Sequence, residues 1–264
     1  MSGQVQCSVT GGVATVELCN AERRNAVSVG LLEDLDRCLA DLESSTAVRV
    51  VVLTGAGTAF SVGADLSAPP ELRSLRGESV VEDRARLYRA SRIVERLHHL
   101  PQITVAGING ACAGAGLSLA LACDVRVAAD SAVFNTAFLD AGLSGDFGGI
   151  WFATRSLGSA AAKQLFLLPG KLTAAEAHAA GLVSTVHEAD RFPARVQELA
   201  DRLASSAPRA AREIKQNFHA AEVQSLPDYL RQEVERMVAS FHTEDAREAA
   251  AAFLGRREPV FHDR

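Results

Sequence analysis

Two glycine-containing loops are the stretches of this 264-residue chain whose composition could support chemistry. They cover residues 55–65 and 109–116, and each follows an apolar run that is typical of a buried strand. Glycine-rich backbone can present unpaired N–H groups, and two such groups that converge on one carbonyl oxygen form an oxyanion hole. In comparable sites each donor stabilises the transition state by about 3–4 kcal/mol. From the residues alone, two tight turns that only redirect the chain explain these glycines equally well.

The second loop leads into residues 117–123, an apolar stretch with one serine that predicts a buried helix. The free N–H groups and positive dipole end of such a helix favour an electron-rich ligand. A hydrolase G-x-S-x-G turn around Ser118 would need glycine where Ala120 stands. A dinucleotide-binding G-x-G-x-x-G pattern is also incomplete, because Phe60 and Leu119 occupy its last position in the two loops. Ser118 is therefore interpreted as a small polar residue of the helix.

Alternating strand and helix patterns around the two loops predict a parallel sheet built from βαβ units. A Gly-Gly pair between two alternating runs predicts a β-hairpin near the start, and Ser28 is a predicted helix N-cap. Thr173 and Glu176 form a predicted capping box, residues 68–77 form a predicted loop, and the pattern is helical from residue 192 onward. Strands are predicted at residues 5–9, 13–18, 48–54, 103–108, 124–129, 132–135 and 182–186, and the earlier helices at residues 28–42 and 80–100.

Composition excludes several functional classes. The chain has 27 Lys and Arg against 32 Asp and Glu, a net charge of -5, which predicts no nucleic-acid or anionic membrane partner. Its five scattered cysteines indicate reduced thiols, a cytoplasmic location and no zinc site, and the seven histidines are interpreted as solvated. We expect no signal peptide. The uncharged residues 100–123 are broken by Pro101, Asn109 and glycines, so no membrane span is expected.

Two segments carry a resemblance to a known family. Residues 59–66 (AFSVGADL) and 109–120 (NGACAGAGLSLA), with Cys123 and Asp124, resemble the signature segments of the enoyl-CoA hydratase/isomerase superfamily, the crotonases. Residues 24–26, 172–174, 180–183 and 252–261 are similar to that family as well. The resemblance implies an α/β crotonase fold, with a ββα superhelical core in residues 1–200 and a helical trimerisation region in residues 201–264. It also implies an acyl-CoA thioester substrate, no separate cofactor because coenzyme A is part of that substrate, and a homotrimer or a dimer of trimers.

The resemblance further implies roles for individual residues. The backbone N–H groups of Ala64 and Ala115 would be the oxyanion donors. The two glutamates of the family's hydratases match Ser118 and Phe138, so the carboxylate pair that holds a water is missing and addition of water is not expected. Coenzyme A contacts are implied for the backbone around residues 59–64 and for arginines near both ends. The implied binding set is Arg24, Ala59, Phe60, Gly63, Asp65, Leu66, Gly114, Ser118, Phe138 and Arg256.

Asp146 matches the position of a catalytic aspartate in family isomerases, and its surroundings resemble the phenylacetate-pathway ring-epoxide/enoyl-CoA isomerases. One such carboxylate can move a proton between two carbons of a dienolate without a bound water. Its neighbours Phe138, Phe147, Trp151 and Phe152 predict that desolvation raises its pKa. Its sequence context allows a role as helix cap equally well.

These residues predict an acyl-CoA isomerase that moves a double bond, or opens a ring epoxide, next to the thioester. Two alternatives stay open at this point. One is an enoyl-CoA hydratase with an atypical site, and the other is an acyl-CoA-binding protein without catalytic activity.

Overall fold

The computed structural model describes residues 4–64, 79–168 and 170–264. The predicted loop at residues 68–77 and the predicted binding residues Asp65 and Leu66 lie outside these ranges. The strands are β1 (Val5–Thr10), β2 (Val13–Leu18), β3 (Val50–Gly55), β4 (Ala59–Ser61), β5 (Ile103–Ile108), β6 (Ala111–Ala113), β7 (Val125–Ala129), β8 (Val133–Asn135), β9 (Leu172–Thr173) and β10 (Thr185–His187). The helices are α1 (Val29–Glu43), α2 (Val80–His99), α3 (Ala115–Leu121), α4 (Gly149–Leu167), α5 (Ala174–Ala179), α6 (Phe192–Ala204), α7 (Pro208–Ala221), α8 (Leu226–Phe241) and α9 (Glu244–Gly255).

The strands form two sheets. The larger has six strands in the order β1-β2-β3-β5-β7-β10, and every pairing in it except the β1–β2 hairpin is parallel. The smaller has four strands in the order β4-β6-β8-β9, with parallel β4–β6 and β6–β8 pairings. The predicted parallel sheet and N-terminal hairpin are therefore confirmed, and the short strands β4 and β6 bring the two glycine loops side by side.

Local signals in the sequence place the helices that cover the larger sheet. The Ser28 hydroxyl accepts a hydrogen bond from the Leu31 N–H at 3.1 Å, as expected of an N-cap. The predicted capping box is confirmed at the start of α5. The Thr173 hydroxyl accepts a hydrogen bond from the Glu176 N–H, and the Glu176 carboxylate accepts one from the Thr173 N–H. The leucine stripe of α1 is buried in the main core.

Two predicted boundaries differ from the ends of the observed elements. The boundary between core and helical region, set at residue 200, falls inside α6, whose buried residues Val196, Ala200 and Ala204 pack with the larger sheet. The core therefore continues to the end of α6. The strand predicted at residues 182–186 begins at Thr185. Leu182 instead donates its N–H to the Ala177 carbonyl at 2.8 Å, which extends the turn after α5.

The helices after α6 are joined to the core through Lys215 of α7. Its buried ammonium group donates to the Asp124 carboxylate at 2.7 Å and to the Gln102 carbonyl at 3.0 Å. Farther along, α8 and α9 expose large apolar side chains, among them Val234, Phe241 and Phe253. Of the helices in the described parts of the chain, none combines the length and apolar character that a membrane span requires.

Candidate active site

Asn25 shapes the first glycine loop. Its side-chain amide donates to the carbonyls of Ala56 and Ala59 at 2.9 and 2.7 Å. Its own carbonyl accepts a hydrogen bond from the Ser61 hydroxyl at 2.7 Å. Asn25 is fully buried and has a left-handed φ of 55°, which asparagine tolerates better than most residues. The chain around residue 25 thus fixes the path of the loop through β4.

The two glycine loops touch through their backbones. Gly63 has a φ of +77°, and a Cβ atom there would lie 2.7 Å from the Ala113 carbonyl oxygen and 3.1 Å from the Ala115 nitrogen. No residue with a side chain fits that space, so glycine is required at this point. Because the Ala64 nitrogen belongs to the next peptide bond, the two predicted N–H donors lie on adjoining segments of backbone.

Ala115 is the first residue of α3, and its N–H has no hydrogen-bond partner within the described ranges. The first N–H groups of a helix have no carbonyl one turn before them, and they carry the positive end of the helix dipole. Ala115 is 3% exposed, so a ligand that reaches this N–H leaves bulk water. The Ala64 residue pairs with Val27 in an isolated parallel bridge.

Ser118 connects α3 to the loop that contains Asp146. The Ser118 hydroxyl lies 3.1 Å from the Asp146 carbonyl oxygen and 3.4 Å from that of Gly114. Ser118 follows Ala115 by three residues, so Asp146 meets α3 about 4.5 Å along the helix axis from the free N–H. A Cβ atom at Gly149 would lie 2.4 Å from the Ser118 hydroxyl oxygen, which shows how closely α4 approaches α3.

One oxygen atom of the Asp146 carboxyl group makes no hydrogen bond with the described residues. This atom, Oδ1, is buried. Burial raises the pKa of this carboxyl from 3.8 to about 6, because desolvation disfavours the charged form. A carboxylate in this state is a stronger base than a solvated one, yet it is still ionised at neutral pH.

The alternative role of Asp146 as a helix cap is not what the structure shows. The N-cap of α4 is Gly148, and no side chain caps this helix. Asp146 contributes only its main-chain carbonyl, which accepts the Gly149 N–H at 3.1 Å. The backbone directly after Asp146 is strained, since Phe147 has a left-handed φ of 46°. Strained residues that are held by surrounding packing are often found at functional sites.

The aromatic residues expected around Asp146 divide into two groups. Phe138 and Phe147 are buried in the main core, and Phe138 stacks on Phe166 with ring centroids 6.3 Å apart. Trp151, in contrast, packs edge-to-face against Phe152 and His98 and lies under the guanidinium of Arg155. The structure thus shows Trp151 on the side of α4 that faces α2 and α7. The predicted contribution of Trp151 to the surroundings of Asp146 is not supported by these contacts.

The predicted coenzyme A residues have different environments. Arg24 and Arg256 are exposed, both with left-handed φ, and their guanidinium groups make no ion pair with described residues. The next residue, Arg257, pairs with Glu248 at 2.7 Å. The Phe60 side chain is fully buried in the core, so Phe60 can contact a ligand only through its backbone. The Ala59 carbonyl is occupied by Asn25, and the Gly114 N–H by the Asn135 carbonyl at 3.0 Å.

Asn25 and Asn109, for which no role was predicted from the sequence, fix the two loops. Asn109 donates its side-chain amide to the carbonyls of Gly55 and Gly57 at 2.8 and 2.9 Å. Asn109 opens the second glycine loop in the sequence, whereas Asn25 is brought to the first loop only by the fold. The position of Asn109 at the start of a glycine loop is the only sequence feature that pointed to its role.

Comparisons with known proteins agree with this architecture. A sequence profile of the enoyl-CoA hydratase/isomerase family matches residues 8–264. The chain is 35% identical over 261 residues to 1,2-epoxyphenylacetyl-CoA isomerase of Escherichia coli strain K12, covering 96% of each chain. It is 34% identical over 240 residues to a probable enoyl-CoA hydratase of Bacillus subtilis strain 168, covering 90% of each.

A solved structure gives the same result. The crystal structure of an enoyl-CoA hydratase from Bacillus anthracis aligns with a TM-score of 0.92 and 30% identity, over 99% of this chain and 100% of that one. The predicted crotonase fold with a helical C-terminal region is thereby confirmed. The chain belongs to the enoyl-CoA hydratase/isomerase family, within the crotonase superfamily of acyl-CoA-processing enzymes.

Proposed function

We propose that this chain is an acyl-CoA isomerase that moves a double bond, or opens a ring epoxide, next to a coenzyme A thioester, with Asp146 as acid and base. One observation carries the proposal. Asp146 has a buried, unpartnered carboxylate oxygen and a pKa raised to about 6. Its main-chain carbonyl accepts a hydrogen bond from Ser118 of α3, and the first N–H group of that helix has no partner among the described residues.

The proposed reaction begins at the thioester. Its carbonyl oxygen accepts hydrogen bonds from the N–H groups of Ala64 and Ala115, which stabilise the negative charge of the enolate. The Asp146 carboxylate removes a proton from one carbon, and the electron pair moves into the conjugated system. The resulting carboxylic acid returns the proton to a different carbon, so the product has the composition of the substrate.

Two side chains support isomerisation over hydration. Addition of water requires carboxylates that hold and activate it. At the positions that the family resemblance assigns to the hydratase glutamates, Ser118 bonds the Asp146 carbonyl and Phe138 stacks on Phe166. The name of the Escherichia coli relative, an epoxyphenylacetyl-CoA isomerase, supports an isomerase that accepts an aromatic or epoxide substrate.

We further propose that Arg24 and Arg256 bind the phosphates of coenzyme A. Both guanidinium groups are exposed and make no ion pair with described residues, as a phosphate-binding arginine requires before its ligand arrives. The proposed binding set also contains the backbone groups of residues 59–64, together with Gly63, Asp65, Leu66 and Gly114. The exposed apolar side chains of α8 and α9 support a homotrimer or a dimer of trimers.

The experiment uses positional isomers of an enoyl-CoA, incubated with the enzyme in heavy water. Isomerisation with deuterium at the carbons that exchange protons is the expected result. A hydroxyacyl-CoA product would instead establish the hydratase, for which the Bacillus subtilis relative is the precedent. Tight binding without turnover or exchange would establish a binding protein. Either of the last two results contradicts the proposal.

A further inference from the structure

Three histidines from distant parts of the sequence meet between two helices. His98 and His99 are the last two residues of α2, and His219 lies in α7. The rings of His98 and His219 have centroids 4.3 Å apart, and those of His99 and His219 lie 5.1 Å apart. One nitrogen from each ring lies within 4.8 Å of the other two. None of these residues belongs to the proposed catalytic site.

The hydrogen bonds of the three rings leave nitrogen lone pairs available. The His99 Nδ1 atom lies 2.8 Å from the Glu95 carbonyl, so it carries the proton and Nε2 is free. A histidine that binds a metal ion through one ring nitrogen usually donates a hydrogen bond from the other nitrogen, as His99 does here. The Nδ1 atom of His219 is buried and has no hydrogen-bond partner in the described residues. A buried polar atom without a partner is costly unless a ligand satisfies it.

Burial lowers the pKa of two of these rings, and neighbouring positive charges lower it further. Burial, followed by the nearby His219, His99, Lys215 and Arg155, lowers the pKa of His98 to about 3. Burial, followed by Lys215 and His99, lowers the pKa of His219. Neutral imidazole is the form that binds a metal ion.

The neighbouring charges do not prevent binding of a cation. Lys215 is paired with Asp124 at 2.7 Å, and Arg155 lies 3.8 Å from Glu222. The other Arg beside the cluster, Arg236, is 3.5 Å from Glu213. The Glu222 carboxylate also lies 4.0 Å from His98 Nε2, where it adds negative charge beside the cluster.

We propose that His98, His99 and His219 form a site for a divalent transition metal ion, with Zn²⁺ as the matching ion. Three imidazole ligands with an open fourth position are a ligand set that Zn²⁺ takes in tetrahedral sites. Zn–N bonds of about 2.0–2.1 Å place ligand nitrogens about 3.4 Å apart, so small ring rotations complete the geometry. A cavity of about 360 Å³, lined by all three histidines and by Gln216, Gln224 and Gln232, gives the ion access.

The proposed metal joins the core to the helical C-terminal region. It would link the end of α2 to α7, which is also joined to the core by the Lys215–Asp124 pair. A metal ion that binds only the folded state increases the free energy of unfolding, and above the Kd this increase grows with the logarithm of the metal concentration. The site therefore has a structural role that is independent of the isomerase chemistry.

The test titrates the untagged, chelator-treated chain with Co²⁺ and Zn²⁺. We expect one Co²⁺ per chain with a visible absorption band of tetrahedral cobalt, displaced by Zn²⁺. His99→Gln and His219→Gln should each weaken Co²⁺ binding by more than about 100-fold. Removing only a hydrogen-bond partner of a metal ligand typically weakens binding by about 10–100-fold, and these changes remove a ligand itself. Zn²⁺ should raise the melting temperature of the wild type.

The matched control is His242→Gln, a change in an exposed histidine of the same helical region that should leave binding intact. A triple variant, in which all three cluster histidines become glutamine, should neither bind Co²⁺ nor gain stability from Zn²⁺. The proposal is overturned if the wild type shows no 1:1 binding. It is also overturned if the cobalt band survives in the triple variant.

Discussion

Two aspartates beside α3, one after its last turn and one next to its middle, show how one side chain can serve as scaffold and another as reagent. Asp124, just after the helix, accepts hydrogen bonds from Thr104 N–H, Thr104 hydroxyl and Lys215 ammonium, at 2.7, 2.9 and 2.7 Å. Asp146, held beside Ser118, has a buried carboxylate oxygen with no partner in the described chain. A satisfied carboxylate contributes to stability, whereas an unsatisfied one stores free energy that a substrate proton can release.

The largest expected effect concerns catalysis. Asp146→Asn removes the proposed base, and loss of a general acid–base group typically costs about 10²–10⁴-fold in rate. We expect a loss of this size in the kcat for enoyl-CoA isomerisation, with little change in KM. Asp124→Asn serves as the control, and its kcat per folded molecule should stay within about threefold of wild type because Asp124 is remote from the reacting atoms.

The second largest expected effect concerns the contribution of Asp124 to stability. Asp124→Asn leaves the ammonium group of Lys215, which is 6% exposed, without its counter-ion. Breaking a buried ion pair in this way costs about 3 kcal/mol. Urea unfolding should show this loss as a lower free energy of unfolding. An unchanged unfolding midpoint would mean that Lys215 finds another partner.

Asp146→Asn should change stability in the opposite direction. The pKa of the folded-state carboxyl is about 6, above its ordinary 3.8, so the folded state binds the proton more tightly than the unfolded state. The wild type therefore loses stability as the pH rises from about 4 through about 6. At pH 8 the asparagine variant should be more stable by about 1–3 kcal/mol, and below pH 4 the two should be equal. Unfolding curves at both pH values measure the difference.

The smallest expected effect concerns the contact between α3 and the Asp146 loop. Ser118→Ala removes the hydrogen bond to the Asp146 carbonyl, which keeps its second bond from the Gly149 N–H. We expect a loss of about 1 kcal/mol in the free energy of unfolding. Isomerase activity should fall severalfold without a shift in its pH profile. Ser118→Thr restores the hydroxyl and is the matched control, and a kcat for Ser118→Ala equal to wild type would show that the contact does not position Asp146.

Much of the fold was predictable because its signals are local. The Ser28 cap, the capping box at Thr173 and the β-branched run of β3 each depend on neighbouring residues, and each was confirmed. Long-range packing was not predictable in the same way. The boundary proposed at residue 200 falls inside α6, whose position depends on contacts with the sheet that its own sequence does not reveal.

The same distinction applies to the site. Glycine loops after buried strands were visible in the sequence, but their mutual approach at Gly63 depends on the parallel pairing of β4 with β6. The left-handed backbone of Phe147 has no sequence signal, because a bulky residue rarely adopts it. The histidine cluster was missed because its members were interpreted one at a time, while the fold brings α2 and α7 together.

The pH dependence of proton exchange tests the role of Asp146 most directly. The measurement follows the exchange of substrate C–H for deuterium in heavy water, catalysed by the wild type, across the range from pH 4 to pH 8. Exchange should increase with pH and reach half of its maximum near the carboxyl pKa of about 6, because only the ionised carboxylate removes a proton. A profile that is flat over this range, or exchange at the wild-type rate in Asp146→Asn, would contradict the assignment of Asp146 as the catalytic base.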